Sequence, residues 1–376
     1  MVSGRGKTMN YALWLTNDRG DRIDLLDETL RFSWNRIVNG VGRCRVALKG
    51  DYPKTNLKRD YHIEIWRSPT EKSKLRLENI FFIRRVVADT LLNGLQVLEI
   101  FGVDPNELLA RRIVAYAAGS AEANKTAEID DMMKEIVDEN LGASAGAGRD
   151  LTGIGFSIQA DATLGPSITK AFSHRNVLAV LQDLSDAARI AGDEVYFQVV
   201  ATSVNTFEFQ TFVNQPGQDR RHPGGSQPII FSIGLGNLQE PSLEEDYEDE
   251  INFVYAGGQG DGAARNIQTE QDDNQINQSI WNRREYFRDA RHEATDAGVT
   301  AEAQAALAQG RPKRRFSGVL SSNMGARYGI DWDWRDRVTV EYQKEQFDGL
   351  IRTVEIAVDD EGKETLGGRI EVEDVA

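Results

Sequence analysis

"NIFFIRRVV" (Asn79–Val87) and "LQVLEIFGV" (Leu95–Val103) lie on either side of Asn93-Gly94. Both turn residues tolerate positive φ, so two dense apolar runs joined by this dipeptide predict a β-hairpin. Upstream, "YHIEIWR" alternates, with Tyr61, Ile63 and Ile65 on one face and His62, Glu64 and Trp66 on the other. From Tyr11 to about Val103 the chain therefore reads as an antiparallel sheet or barrel.

Downstream of the hairpin the period changes. "DPNELLARRIV" offers Asp104 as an N-cap and Pro105 at the first helical position. "AEIDDMMKEIVDENLG" sets Ile129, Met132, Met133, Ile136 and Val137 on one stripe and stops at Gly142. "SHRNVLAVLQDLSDAARIAG" repeats the pattern with Val177, Leu181, Leu184 and Ala188, from Ser173 to Gly192. The small-residue stretch "GASAGAGRDLTGIG" between them reads as loop, so 104–192 is expected to be a mainly helical insert.

Strands resume at "EVYFQVVA" and "TFEFQTFV", and the polar "NQPGQDRRHPGGSQP" reads as a loop before "IIFSIGLGNL". The run "EPSLEEDYEDE" (Glu240–Glu250) carries seven carboxylates and no cation, the composition of a solvated connection and the expected domain boundary. Beyond it come "INFVYAGG", a short helix at "TAEAQAALAQG", and the alternating runs "RVTVEYQ", "GLIRTVEIAVDD" and "GRIEVED". The order is β, helical insert, β, boundary, β, short helix, β.

Composition narrows the function classes. The 376 residues are 40% apolar, enough for real cores, and the longest apolar runs fall far short of the ~18 residues a spanning helix needs. "MVSGRGKTMN" has no apolar segment behind its basic residues, so Sec-dependent export is not expected. One cysteine, Cys44, excludes an internal disulfide, and four scattered histidines leave little for zinc. A formal charge of −15 argues against general nucleic-acid binding, which requires clustered Lys and Arg.

Five stretches invite a chemical reading. "FVYAGGQGDGAAR" (Phe253–Arg265) resembles a phosphate loop, but no amphipathic helix follows, no Lys-Ser or Lys-Thr pair is present, and Ala263 stands where a third glycine belongs. A structural turn is the better reading. "DWDWRD" mixes Asp331, Asp333 and Asp336 with Trp332 and Trp334, as sugar sites do, but on an alternating strand it is explained by one buried aromatic face. His292-Glu293 begins a zinc motif that fails at Asp296. Cys44 sits in "RCRVAL", where a buried structural thiol is expected, and "RPKRR" (Arg311–Arg315) reads as a solvated loop or a surface for an acidic partner. No catalytic, cofactor-binding or metal-ligating residue is assigned, and no cofactor is expected.

Several phrases, in this order, resemble the baseplate hub or tail-tip hub proteins of long-tailed bacteriophages: "RIVNGVGRCRVAL", "YHIEIWRS", "ENIFFIRRVVAD…NGLQVLEIFGVDPNELLARRIV", "DDMMKEIVDENLG", "GNLQEP…EDEINFVYAGGQGDGAAR" and "YGIDWDWRDRVTV". The resemblance implies an α+β, mainly β fold with two related β-barrel domains. The first barrel would take residues 8–103 plus 193–240, with the helical insert at 104–192, and the second would take 246–376. It further implies a homotrimer forming a pseudo-hexameric ring, a structural and non-enzymatic role, and a place at the distal end of the phage tail in the virion, after assembly in the host cytoplasm. Implied partners are the distal tail or tail tube protein, the tape measure protein, and tip, spike or fibre proteins. Genomic DNA would meet the ring only in passage, the acidic charge lining that passage, and no membrane embedding is implied. With the sequence stopping at Ala376, lytic and receptor-binding work is expected on attached proteins. The sequence departs from many hubs at Arg335-Asp336, where they carry a glycine before the aspartate. A tail-tip glycan hydrolase using Asp331 and Asp333, and a receptor-binding module, remain the alternatives.

Overall fold

Seven strands precede the first α-helix in the computed structural model, which describes residues 11–70, 73–90, 94–115, 123–146, 148–172, 174–321 and 325–372. They are β1 (Tyr11–Thr16), β2 (Arg22–Leu25), β3 (Thr29–Ile37), β4 (Arg43–Lys49), β5 (His62–Arg67), β6 (Arg76–Thr90) and β7 (Gln96–Val103). Next come α1 (Glu107–Ala110), β8 (Ala123–Glu128), α2 (Ile129–Leu141), β9 (Phe156–Ile158), β10 (Ser167–Phe172) and α3 (Val177–Ile190). The middle of the chain supplies β11 (Val195–Ser203), β12 (Thr206–Val213), β13 (Asp219–Arg220), β14 (Ile230–Ser232), β15 (Leu238–Asp246), β16 (Phe253–Gly257) and β17 (Ile267–Gln271). The rest is α4 (Asp273–Ile276), β18 (Glu285–Asp289), α5 (Asp296–Gln309), β19 (Lys313–Leu320), β20 (Arg337–Tyr342), β21 (Glu345–Val358) and β22 (Glu364–Val372). Strand outweighs helix by 45% to 17%, so the fold is mainly β.

The predicted hairpin forms: β6 and β7 pair antiparallel from Thr90↔Gln96 outward, and Gly94 takes φ +80°. Asn93 lies outside the described residues. Strand β6 also explains why its run is so dense in apolar residues. Phe81 and Ile83 point into one core while Ile80 and Phe82 point into another, so both faces are buried and no polar alternation survives. Strand β5 behaves alike: Ile63 and Ile65 are wholly buried, but His62 and Glu64 on the opposite face are buried as well.

Fourteen strands join in one sheet, in the order β15-β19-β22-β21-β3-β4-β7-β6-β5-β1-β2, with β20 on β21 and β13 and β14 parallel to β20. The expected barrels do not close: the path ends at β15 and β2. Between β1 and β3 no ladder forms among the described residues, and the Tyr11–Phe32 ring contact at 5.1 Å is what brings them together. The two ends of the chain meet in this sheet, since β3 pairs with β21 from Ile37↔Thr353 to Phe32↔Val358.

Residues 104–192 mix helix and strand. The α2 stripe of Ile129, Met132, Met133, Ile136 and Val137 is wholly buried and the helix stops at Gly142. Helix α3 buries Val177, Leu181, Leu184 and Ala188 and ends before Gly192 at φ +98°. Its cap is Asn176, which accepts from Ala179 N; Ser173 lies outside the described residues. Asp104 does not cap α1. Its carboxylate accepts from Gly42 N (2.8 Å) and Asn106 N (3.1 Å), and Asn106 bridges Gly40 O (2.6 Å) and Val199 N (2.7 Å). Asp104 and Asn106 thus fasten the end of β7 to the β3–β4 turn and to β11. Sheet β11-β12-β9 and helices α2 and α3 share the second core with β6, and α5 packs Val299, Ala303 and Ala306 on Val254 and Ala256 of β16 in a third.

Candidate functional site

The glycine stretch at Phe253–Arg265 is a hairpin turn. Strand β16 runs into it and β17 leaves it antiparallel, with Gly257 opposite Ile267. A phosphate loop needs free amides aimed at the ligand. Here Gly258 N donates to Asn266 O (2.8 Å), Gln259 N to Glu293 O (3.1 Å) and Ala264 N to Asp261 O (3.1 Å). Close packing explains the glycines: a Cβ on Gly258 would lie 2.3 Å from Val299, and Gly260 holds φ +103° against the Ala264 carbonyl.

"DWDWRD" is a loop rather than the expected strand. Trp332 and Trp334 are buried, as the alternation suggested, but a turn puts them there: Trp332 Nε1 donates to Ala326 O (2.9 Å) and its ring meets Phe231 edge-on at 5.3 Å. Asp331 accepts from Arg327 N and Nε, both at 2.8 Å, and that hydrogen-bonded pairing holds its carboxyl below the usual range. Asp333 accepts from Trp334 N (2.8 Å). A glycosidase acid needs its pKa raised, so Asp331 is shifted the wrong way for that role. Asp336 is raised by burial, but it is 3% exposed and locked to Arg220 at 2.8 Å, out of reach of a glycan.

Arg335 occupies the position where a glycine was expected, and its φ of +73° is the conformation a glycine would adopt freely. The guanidinium compensates by lying 4.7 Å from both the Phe212 and Trp334 rings. Burial, reinforced by Arg36, lowers its pKa to about 10.

His292, Glu293 and Glu302 bring three ligand atoms within 4.8 Å of one another. Their surroundings do not suit a dication. Glu302 already holds Lys170 (2.8 Å) and Arg288 (2.9 Å). Burial would raise its carboxyl, but hydrogen bonding from His292 and the charges of Lys170 and Arg288 outweigh that and hold it low. The cluster is an ion-pair lock joining α5 to β10 and β18. Cys44 is buried, its thiol pushed up by burial, and packs against Gly102, where a Cβ would lie 2.7 Å from the sulfur.

The acidic run and the basic cluster, expected as a solvated connection and a solvated loop, meet each other. Strands β15 and β19 pair with Glu244 opposite Arg315, Glu245 opposite Arg314 and Asp246 opposite Lys313. Arg314 reaches Glu245 (3.0 Å) and Glu345 (2.5 Å), while Arg315 stays 3.9 Å from Glu244 and Asp246. These pairs are solvated, so Arg315→Ala should shift the urea midpoint by less than the equivalent of about 1 kcal/mol. Arg314→Glu sets three like charges together and should lose more.

Sequence reading missed a buried cluster that ties the first strands to the last hairpin. Arg67, 4% exposed, forks onto Glu364 at 2.8 and 3.0 Å, donates to Tyr328 O (3.3 Å), and shares Glu364 with the Tyr11 hydroxyl. Nothing local marks a pair separated by 297 positions. Among the described residues no helix is long and apolar enough to cross a membrane.

Similar folds occur in three solved tail proteins. The tail protein from Neisseria meningitidis MC58 is 11% identical, with 97% of each chain covered and a TM-score of 0.59. The 43 kDa tail protein of prophage MuSo2 from Shewanella oneidensis is 10% identical, covering 96% of this chain and 97% of that one, with a TM-score of 0.60. Prophage tail protein gp18 from Listeria monocytogenes EGD-e is 11% identical, covering 97% and 95%, with a TM-score of 0.55. No curated protein matched. The family described as Siphovirus ReqiPepy6 Gp37-like protein matches residues 12–370, nearly the whole sequence. With its mainly β fold shared by phage tail proteins, the chain belongs to this family of phage tail structural proteins.

Proposed function

We propose that the chain is a baseplate or tail-tip hub, a homotrimer that joins the tail tube or distal tail ring to the central tip or spike and forms the end of the DNA channel. The observation that carries this reading is the family match over residues 12–370, nearly the whole sequence. The two units would be 8–103 with 193–240, and 246–376, with 104–192 inserted. Strands β13–β15 would stitch the end of the first unit onto β19 and β20 of the second. In the trimer the six units would alternate around a pseudo-sixfold ring, matching a hexameric tube with three chains.

A non-enzymatic role is supported by Asp331 and Asp333, which are committed to Arg327 and to the local backbone. The chain's −15 charge would serve the channel wall, where carboxylates keep DNA from sticking. Native mass measurement of the purified protein, with antibody labelling of intact particles, tests the reading. Three copies per complex and label confined to the distal tail end are expected. Label along the tail shaft, or a monomer that ignores tube and ring proteins at high concentration, would overturn it.

A further inference from the structure

A cavity of about 540 Å³ lies where the last turns of α3 and α5 meet β19, β21 and β22. Seven cations line it against two carboxylates, Asp186 and Glu371, in a chain whose formal charge is −15. Four of the cations are already engaged. Arg352 holds Glu371, and Arg189 lies 3.9 Å from the same carboxylate. From outside the cavity Glu245 and Glu345 meet Arg314, while Glu244 and Asp246 stay 3.9 Å from Arg315. The other three, Arg311, Lys313 and Arg369, are exposed and have no ion-pair partner among the described residues. Helix C-termini draw cations, which accounts for Arg189 and Arg311, but Lys313 and Arg369 stand on strands.

The lining discriminates among anions. The unpaired cations come from the α5–β19 connection, from β19 and from β22, so they suit several anionic groups spaced along a ligand better than one compact phosphate. The volume falls in the range of ligand sites, ~300–1,000 Å³. No aromatic residue lines the cavity, so a nucleotide base would find no ring to stack on. A long nucleic acid would run out of the cavity over a chain that is acidic overall and repels it. Six of the seven cations are arginine, whose planar fork matches a carboxylate. The chain's own acidic run is committed to β15 beside β19, so the carboxylates come from another protein.

We propose that this cavity binds an acidic peptide segment of a partner protein, with the segment's carboxylates pairing with Arg311, Lys313 and Arg369. One chain supplies all of these residues, so the binding does not depend on the trimer of the hub reading.

The test is fluorescence anisotropy of a labelled hexaglutamate peptide titrated with the full chain, at low ionic strength and at about 0.15 M salt. The double variant Arg311→Glu, Lys313→Glu is compared with Lys54→Glu, Lys363→Glu, which makes the same change in net charge at exposed lysines away from the cavity. Circular dichroism and melting check that both fold. The peptide should bind the unsubstituted chain, more weakly at the higher salt, and the cavity variant should lose about tenfold or more. The control should change by less than about threefold. A peptide that does not bind, or two variants that weaken it equally, would refute the site. Displacement of the peptide by a lower concentration of inorganic triphosphate or of a six-nucleotide single-stranded DNA would assign the cavity to a compact anion or to nucleic acid instead. A trimer that ignores the peptide sinks this proposal and leaves the hub reading standing; a monomer that binds it does the reverse.

Discussion

Asp336→Ala should destabilise the protein by about 3–5 kcal/mol, measured as a loss in the free energy of urea unfolding. The carboxylate is the meeting point of three segments. Oδ1 accepts from Gln218 N (2.7 Å), while Oδ2 accepts from Arg220 Nε (2.8 Å) and Asp333 N (2.9 Å). Removing it strands two part-buried amides and leaves Arg220, 7% exposed, as an uncompensated buried charge. Asp336→Asn keeps the shape and some acceptor capacity, so it should lose less. A loss under about 1 kcal/mol for the alanine variant would mean that this junction relaxes around the gap, and that the β13 segment is not held onto β20 by Asp336.

The second large effect is a pH dependence centred on His62, worth about 3 kcal/mol. Burial lowers its pKa from 6.5 to about 4, against the opposing pull of Asp60, Glu64 and Asp18. The unfolded chain therefore takes up the proton first. The stability contributed by neutral His62 is fully present above pH 6.5, declines as pH falls, and levels off below about pH 4. Asp104 works in the opposite sense. Burial raises its carboxyl to about 7, so its contribution is fully present below its unfolded value of 3.8 and is lost as pH rises through 7. The unsubstituted curve mixes the two, and the informative quantity is the stability difference between it and His62→Gln. That difference should change by about 3 kcal/mol between pH 7 and pH 4, in the direction that favours the variant at acid pH. A difference that stays constant across this range would show that His62 titrates normally and is solvated.

Where the physics is local, the sequence carried the answer. The β6–β7 hairpin, the buried stripes of α2 and α3 and the stop at Gly142 depend on neighbours within a few residues, and each was readable. The two tryptophans of "DWDWRD" were correctly read as buried, yet their alternation came from a turn with a left-handed Arg335, which mimics strand periodicity over four residues. Long-range pairing was not legible. An acidic run and a basic cluster look like separate connections when read alone, and only their antiparallel register shows that the two are paired strands. A cavity beside His62 was invisible for the same reason, because its lining includes residues 62, 82, 156 and 207 on four different strands.

The pairing of β3 with β21 also sets a schedule. Strand β3 leaves the ribosome early, but the strand that covers its open edge follows more than three hundred residues later. At ordinary elongation rates that wait is on the order of tens of seconds. During it the nascent chain holds Trp34 and its neighbours beside an unfilled edge, a template for wrong partners. Folding of the main sheet must therefore finish at the end of synthesis, and a chaperone that binds the nascent first third would raise the yield of native protein more than one that acts after release.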